Sequence, residues 1–237
     1  MIHCIIGTKG GVGTSSVAQA LAYESAKEKK TLLLDGSIGL RSQDLLNEVE
    51  GISPYHFQDY LQDFCDWEDT LIFLKENLAL VLSSPKKEYI DWDQEVFLEK
   101  MRPIVDQYDN IFVDFSSYEE RDLEFWASID AEFTFVITKE KISRRALDEI
   151  QFVFMRKKLN PKVHILMNKV KTDQEREEFL SNPPNFVYET FRYILEEEEN
   201  EEIPYLKYEW IKEGKEKVSE KIEKKEKRWF SFLQGGS

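Results

Sequence analysis

The residues best suited to chemistry are the run Gly7-Thr8-Lys9-Gly10-Gly11-Val12-Gly13-Thr14-Ser15-Ser16. Backbone N–H groups can converge on an anion only where side chains leave room. Gly10, Gly11 and Gly13 provide that room, and a helix starting after them would add its positive end. The chemistry is phosphate binding. A hydroxyl at the start of that helix, Ser15, is suited to ligate Mg²⁺. Just before it a phosphate loop usually carries a lysine, and here the residue is Thr14. Threonine cannot set a positive charge against the β- and γ-phosphates. A different lysine, Lys9, stands near the start of the run. The alternative is a glycine-rich turn with no ligand.

Such a loop works only between a buried strand and a helix. Met1 to Ile6 is a short apolar run, and Ser15 to Lys27 has apolar or small residues at Val17, Ala20, Leu21 and Ala26. The order is strand, tight loop, helix. Thr31 to Leu34 is a second apolar run ending in Asp35, which makes a parallel β-loop-α-β unit. The pattern recurs at Leu78 to Leu82, at Ile111 to Val113 ending in Asp114, and at Phe133 to Ile137 ending in Thr138. A helix is expected from about Ser143 to Lys158, then a strand from Val163 to Met167 ending in Asn168 and Lys169. The fold class is α/β, a doubly wound, mostly parallel sheet with helices on both faces. In such sheets ligands bind beyond the carboxyl ends of the strands, where Asp35, Asp114, Thr138 and Asn168 fall. The plainer alternatives are capping or solvent-facing carboxylates for Asp35 and Asp114, and a turn residue for Asn168. His3, His56 and His164 stand apart, and His3 and His164 lie in strand-like runs that suit packing.

The other segments carry less chemistry. Pro54 to Lys75, aromatic and acidic, is expected to be helical. From Asp173 to Glu202 there are eleven acidic and two basic residues, read as a solvated acidic loop or helix face, or as a docking patch for a basic partner. Lys212 to Arg228 holds eight basic residues against five Glu. Ile211, Val218, Ile222, Trp229 and Leu233 fall on one stripe of a helix. Trp229, Phe230, Phe232 and Leu233 after a basic flank suit shallow insertion into an anionic bilayer surface. A helix folded back on the body, or a coiled coil, is the alternative. The expected organisation is one domain over residues 1–210, containing the acidic segment 173–202, and a tail over 211–237.

Composition narrows the classes. The 237 residues carry 32 Lys+Arg and 46 Asp+Glu, a net charge of −14. That argues against DNA binding by the body of the protein, since phosphate attraction dominates such binding. A 41% hydrophobic share argues against disorder. Cys4 and Cys65 form neither a disulfide framework nor a metal-binding pair. No run approaches the roughly 18 apolar residues of a membrane span, and no targeting signal is visible. The expectation is a soluble cytoplasmic protein whose membrane contact is peripheral.

Lys9-Gly10-Gly11-Val12-Gly13 resembles the deviant phosphate loop of the MinD/ParA family of positioning ATPases. The small residue at Thr14 looks most like the TadZ/CpaE branch, which positions pilus machinery. Leu32-Leu33-Leu34-Asp35-Gly36-Ser37-Ile38-Gly39-Leu40-Arg41 resembles the family's second signature, Tyr108 to Asp114 its Walker B strand, and Asn168-Lys169 its adenine-side pair. The tail resembles the membrane-targeting helix of MinD. The resemblance implies ATP and Mg²⁺ as cofactors. Lys9, Gly10, Gly11, Val12, Gly13, Thr14, Ser15, Ser16 and Asn168 would hold nucleotide, and Ser15, Asp35 and Asp114 would hold Mg²⁺. Lys9 would reach the partner's phosphates in an ATP-dependent homodimer, with Lys9 and Asp35 as the catalytic candidates.

Two departures stand out. The aspartate that the family associates with the attacking water is Ser37 here, and Thr14 lacks the loop charge. Phe115-Ser116-Ser117 follows Asp114 where the family has Pro or Ala and then Gly. The expected function is an ATP-binding positioning or scaffold protein at the inner face of the membrane, with weak or absent hydrolysis. It would work with a protein partner from the assembly it positions and without nucleic acid. An active division-site or flagellar ATPase switch, and an interaction module without nucleotide, are the rivals.

Overall fold

Strands this apolar bury both faces, so the sheet needs helices or loops above and below it. The computed structural model describes residues 1–37, 39, 42–85, 94–115, 120–181, 190–198 and 205–211, the last two stretches as backbone. The chain forms β1 (Ile2–Gly7), α1 (Thr14–Ser25), β2 (Thr31–Asp35), α2 (Gln43–Leu46) and α3 (Phe57–Leu61). It continues through β3 (Leu71–Lys75), β4 (Leu78–Val81), α4 (Gln94–Val105), β5 (Asn110–Phe115), α5 (Glu120–Ser128) and β6 (Glu132–Ile137). Then come α6 (Lys141–Arg156), β7 (Val163–Met167), α7 (Asp173–Ser181), β8 (Thr190–Glu198) and β9 (Tyr205–Ile211).

The sheet order is β3-β4-β2-β5-β1-β6-β7-β8-β9. Every pair from β4 to β8 is parallel, and only the outer strands β3 and β9 run antiparallel. The expected doubly wound, mostly parallel sheet is therefore the one observed. β1 is central, with β5 on one side and β6 on the other. From β1 the chain winds first towards β2 and later towards β6, so the loop after β1 opens at the point where the winding reverses.

The two faces have separate cores. Ile5, Leu33, Phe112, Val136 and Leu166 pack with Val17, Ala18 and Ala22 of α1. The small alanines let α1 lie close to the strands. On the other face Cys4, Ile6, Val113 and Phe135 pack with side chains of α4, α5, α6 and α7, among them Met101, Trp126, Phe154 and Phe179. Cys4 is buried and Cys65 half-buried, both as free thiols. Among the described residues no helix is long and apolar enough to cross a membrane.

Several sequence expectations need correction. Pro54 to Lys75 is not one helix. His56 and Asp59 form a capping box that starts α3, but the chain turns out of the helix at Asp63, whose φ is 60°. A second capping box at Asp66 and Asp69 starts a single 3₁₀ turn, Trp67–Thr70, and the remainder becomes edge strand β3. Local polar caps thus divide a segment whose composition reads as helix. The acidic stretch 173–202 is neither one loop nor one helix face, because it contains α7 and β8. Ile211, read as the first residue of the tail's helical stripe, ends β9. Smaller shifts are β1 at Ile2–Gly7, α1 at Thr14–Ser25 and α6 at Lys141–Arg156. Trp229, Phe230, Phe232 and Leu233, with Ser116, Ser117, Ile38, Leu40 and Arg41, lie outside the described residues.

At the amino ends of the strands, far from the glycine loop, two histidines share one carboxylate. His164 Nε2 is 2.8 Å from Glu132 Oε2, and His3 Nδ1 is 3.8 Å from the same oxygen. His3 also stacks on Phe112 with ring centroids 4.9 Å apart. Burial lowers His3 to about 4 despite Glu132, and lowers His164 in the same direction. An unfolded His3 takes up a proton near 6.5 that the folded ring refuses until about 4, so stability drops as pH falls through this window. Replacing it with His3→Gln should flatten urea-unfolding stability between pH 6.5 and 4 by about 1 kcal/mol per pH unit.

Candidate functional site

The glycine loop owes its path to two left-handed residues, Gly11 at φ 77° and Gly13 at φ 90°. Gly13 caps α1 and its carbonyl accepts the Val17 N–H at 3.0 Å. The helix therefore begins with Thr14 and Ser15 at its positive end. Thr14 is buried and turns its hydroxyl back into the loop. A Cβ on Gly7 would sit 2.2 Å from Thr14 Oγ1, so position 7 admits no side chain.

The loop after β7 braces this structure from outside. Asn168 Nδ2 donates to the Val12 carbonyl at 2.9 Å, and Lys169 Nζ donates to the Gly11 carbonyl at 2.6 Å. Asn168 Oδ1 accepts the Lys169 N–H at 2.8 Å. A Cβ on Gly13 would meet Asn168 Nδ2 at 2.5 Å. Asn168 is buried and tied to the loop, which excludes the plain turn reading. Lys9 takes a different direction, pairing with Glu140 just before α6 at 2.6 Å.

At the other end of the loop stand two carboxylates. Parallel pairing of β2 with β5 sets Asp35 beside Asp114. Both are fully buried, which rules out solvent-facing carboxylates. Asp35 Oδ1 accepts the Ser37 N–H at 2.9 Å, and Asp114 Oδ2 accepts Gln43 Nε2 at 2.7 Å. Among the described residues neither Asp35 Oδ2 nor Asp114 Oδ1 has a hydrogen-bond donor. Burial and the neighbouring Asp114 push Asp35 up to about 8. Burial also raises Asp114, against hydrogen bonds from Gln43 and Ser15.

Two adjoining carboxyls in a dry site, each with an oxygen that lacks a donor among the described residues, hold a proton unless a cation takes its place. The oxygen donors Asp35, Asp114 and the Ser15 hydroxyl suit Mg²⁺, which binds through a few protein oxygens plus water and phosphate. Among the described residues no group of three or more His, Cys, Asp or Glu side chains could hold a metal by itself. A cation here would complete its shell from phosphate and water. Ser37 turns its hydroxyl onto the Asp114 carbonyl at 3.2 Å.

The structure thus gathers Gly10, Gly11, Val12, Gly13, Thr14, Ser15, Asp35, Asp114 and Asn168 at one end of the sheet, with Ser16 in the first turn of α1. Sequence reasoning missed Gln43, Glu140 and the bracing role of Lys169. Lys169 was legible as half of the Asn-Lys pair. Gln43 and Glu140 carry no local motif, and only the fold brings them in.

Neutralising Asp35 should stabilise the protein by itself. The unfolded carboxyl ionises near its ordinary 3.8 and the folded one near 8, so folding becomes less favourable as pH rises between them. An amide oxygen can keep the Ser37 contact. Asp35→Asn is expected to raise urea-unfolding stability, and its advantage should grow by roughly 1 kcal/mol per pH unit from pH 6 to 8. An advantage that does not change with pH would contradict the buried-pair account.

No protein-family model matches the chain. It is 27% identical over 183 residues to the septum site-determining protein MinD of Helicobacter pylori, spanning 73% of this chain and 68% of that one. It is 26% identical to an uncharacterized ATP-binding protein of Methanocaldococcus jannaschii, over 60% of this chain and only 55% of the relative. Among solved structures, MinD in the MinC:MinD complex of Aquifex aeolicus superposes with a TM-score of 0.67 at 23% identity, covering 84% of this chain and 82% of that chain. A plasmid partition protein of Borrelia burgdorferi gives 0.68 at 21%, covering 86% and 92%. MinD of Pyrococcus horikoshii, complexed with Mg-ADP, gives 0.61 at 17%, covering 84% and 82%. The chain is thus similar in sequence to MinD proteins and shares the fold of the MinD and partition-protein structures.

Proposed function

We propose that this chain binds ATP with Mg²⁺ at the glycine loop and uses the nucleotide to join two copies of itself rather than as fuel. The observation that carries the reading is the buried pair Asp35 and Asp114, each with an oxygen unpartnered among the described residues, near Ser15 at the end of the loop. When bound, Mg²⁺ would neutralise phosphate charge and fix the nucleotide's position. Gly10 to Ser16 would cradle the phosphates through backbone N–H groups. Asn168 and Lys169 would keep the cradle open by holding the Val12 and Gly11 carbonyls outward.

Slow hydrolysis follows from two side chains. Thr14 puts a neutral, inward-turned hydroxyl where a lysine charge is usual. Ser37 commits its hydroxyl to the Asp114 carbonyl and offers no carboxylate to water. Phosphoryl transfer depends on positioning and charge stabilisation, so their loss falls on the rate. Lys9 is within reach of Glu140 of its own protomer; bridging to a partner's phosphate requires that this pair open. A nucleotide shared by two protomers stabilises the dimer by mass action whether or not it is hydrolysed.

The role assigned is that of a positioning scaffold of the MinD/ParA type, with a degenerate loop like that of the TadZ/CpaE branch. The tail over 211–237 would bring it to the inner membrane surface through Trp229, Phe230, Phe232 and Leu233. Paired tails in a dimer would bind more firmly than one. Its partner would be a protein of the positioned assembly.

Equilibrium binding of ATP·Mg²⁺, with phosphate release and sedimentation followed on the same sample, tests this. Binding and dimerisation with negligible release are expected, and Lys9→Ala should abolish the ATP-dependent dimer. Installing Ser37→Asp with Thr14→Lys should raise release at least about tenfold. Steady turnover by the unmodified chain would restore the ATPase switch. No binding at millimolar ATP would leave an interaction module.

A further inference from the structure

Two consecutive residues of the α2 segment already occupy the side chains assigned to the cation. Ser42 Oγ donates to Ser15 Oγ at 2.7 Å. Gln43 Nε2 donates both to Asp114 Oδ2 at 2.7 Å and to the Ser15 carbonyl at 3.0 Å. Gln43 thus bridges Ser15 and Asp114, and Ser42, Ser15, Gln43 and Asp114 form one connected chain. Gln43 is fully buried although it is a polar residue on a four-residue helix. The donors of Ser42 and Gln43 turn the positive ends of their dipoles towards the lone pairs that a divalent cation would use.

We propose that Ser42 and Gln43 are a gate that a divalent cation must displace from Ser15 and Asp114, so that cation loading moves α2. The inference rests on the reading that Ser15 and Asp114 hold Mg²⁺ beside a nucleotide. Asp114 Oδ1 and Asp35 Oδ2 offer the approaching cation a first contact. Its full shell then competes with Ser42 for the Ser15 hydroxyl and with Gln43 for the Asp114 carboxylate.

The displaced partner is α2 and not the sheet. Asp114 and Asp35 lie on neighbouring central strands in fixed register, and Ser15 lies in the first turn of a twelve-residue helix. α2 is a single turn. Its far end is held to α1 by Gln19, which donates to the Leu46 carbonyl at 2.8 Å and to Asn47 Oδ1 at 3.0 Å, and by Tyr23, which donates to Asn47 Oδ1. Beyond it the chain reverses through Glu48 and Gly51, both at positive φ. With the near end drawn off and the far end tethered at Asn47, the single turn of α2 opens, parting the Leu46 and Asn47 amides from the Ser42 and Gln43 carbonyls. Leu45 and Leu46, exposed at 60% and 39%, ride on it. Cation loading thereby changes an apolar surface, which gives the site an output that requires no hydrolysis.

The test uses the full chain, ADP and Mn²⁺ as the cation probe, with free Mn²⁺ read by electron paramagnetic resonance. Ser42→Ala and Gln43→Ala each remove one donor of the gate. Each should tighten Mn²⁺ binding at saturating ADP by about tenfold, because the competing closed state is lost. In the unmodified chain, Mn²⁺ with ADP should speed hydrogen exchange at the Leu46 and Asn47 amides, which bond to the Ser42 and Gln43 carbonyls. Uptake by Ser42→Ala where the unmodified chain refuses Mn²⁺·ADP would also support the gate. Binding by all three with equal Mn²⁺ affinity, or unchanged exchange on loading, overturns the gate and leaves the nucleotide reading standing. If none of the three takes up ADP with Mn²⁺, the nucleotide reading falls and the gate with it. Ser42 is only half-buried, so its variant keeps the test decisive even if Gln43→Ala fails to fold.

Discussion

Two carboxylates side by side in a dry interior repel each other and each resists ionisation. Parallel register between β2 and β5 enforces that arrangement for Asp35 and Asp114, and much of the surrounding structure answers it. The Ser37 backbone and the Gln43 amide donate to the pair, and Gln43 also ties it to the Ser15 carbonyl at the start of α1. Those donors come from the turn after β2 and from α2. The pair thus dictates where α2 docks and which end of α1 faces the site. A protein selected for stability alone would place apolar residues there, so the cost points to use.

The glycine loop presents the opposite problem. It has almost no side chains with which to hold itself, and its carbonyls would be free to rotate inward. External struts supply the rigidity. Asn168 and Lys169 take two consecutive carbonyls, Val12 and Gly11, and the Gly13 position leaves no room for a Cβ against Asn168. The strut and the loop are 156 residues apart in sequence. The parallel run β1-β6-β7 brings them together, since Asn168 N–H also bonds to the Ile137 carbonyl at the end of β6.

What could be read from sequence follows from this division. Buried parallel strands are continuous apolar runs, and the residue ending each one lies at the site by topology, so Asp35, Asp114 and Asn168 were legible. So was the loop, because its chemistry is local. The segment from Pro54 to Lys75 was misread because composition outweighed its two capping boxes and the pairing of β3 with β4. Gln43 and Glu140 were invisible for a different reason. A glutamine on a short polar helix and a glutamate before α6 acquire meaning only from Asp114 and Lys9, which the fold brings to them.

Thr14 separates two properties that a lysine at that position would combine. The shape of the cradle depends on Gly7, on positive φ at Gly11 and Gly13, and on the struts, none of which involves a charge at position 14. Thr14 serves that shape by packing its hydroxyl over Gly7. Stabilising charge in a phosphoryl-transfer transition state does require such a charge. On the proposed reading, a chain that keeps the first set of constraints and loses the second would keep nucleotide occupancy and lose rate. The buried carboxylates strengthen that separation. A cation answering Asp35 and Asp114 would do so already in the bound state, before any chemistry, and an interaction present equally in ground and transition states adds to binding without adding to the rate.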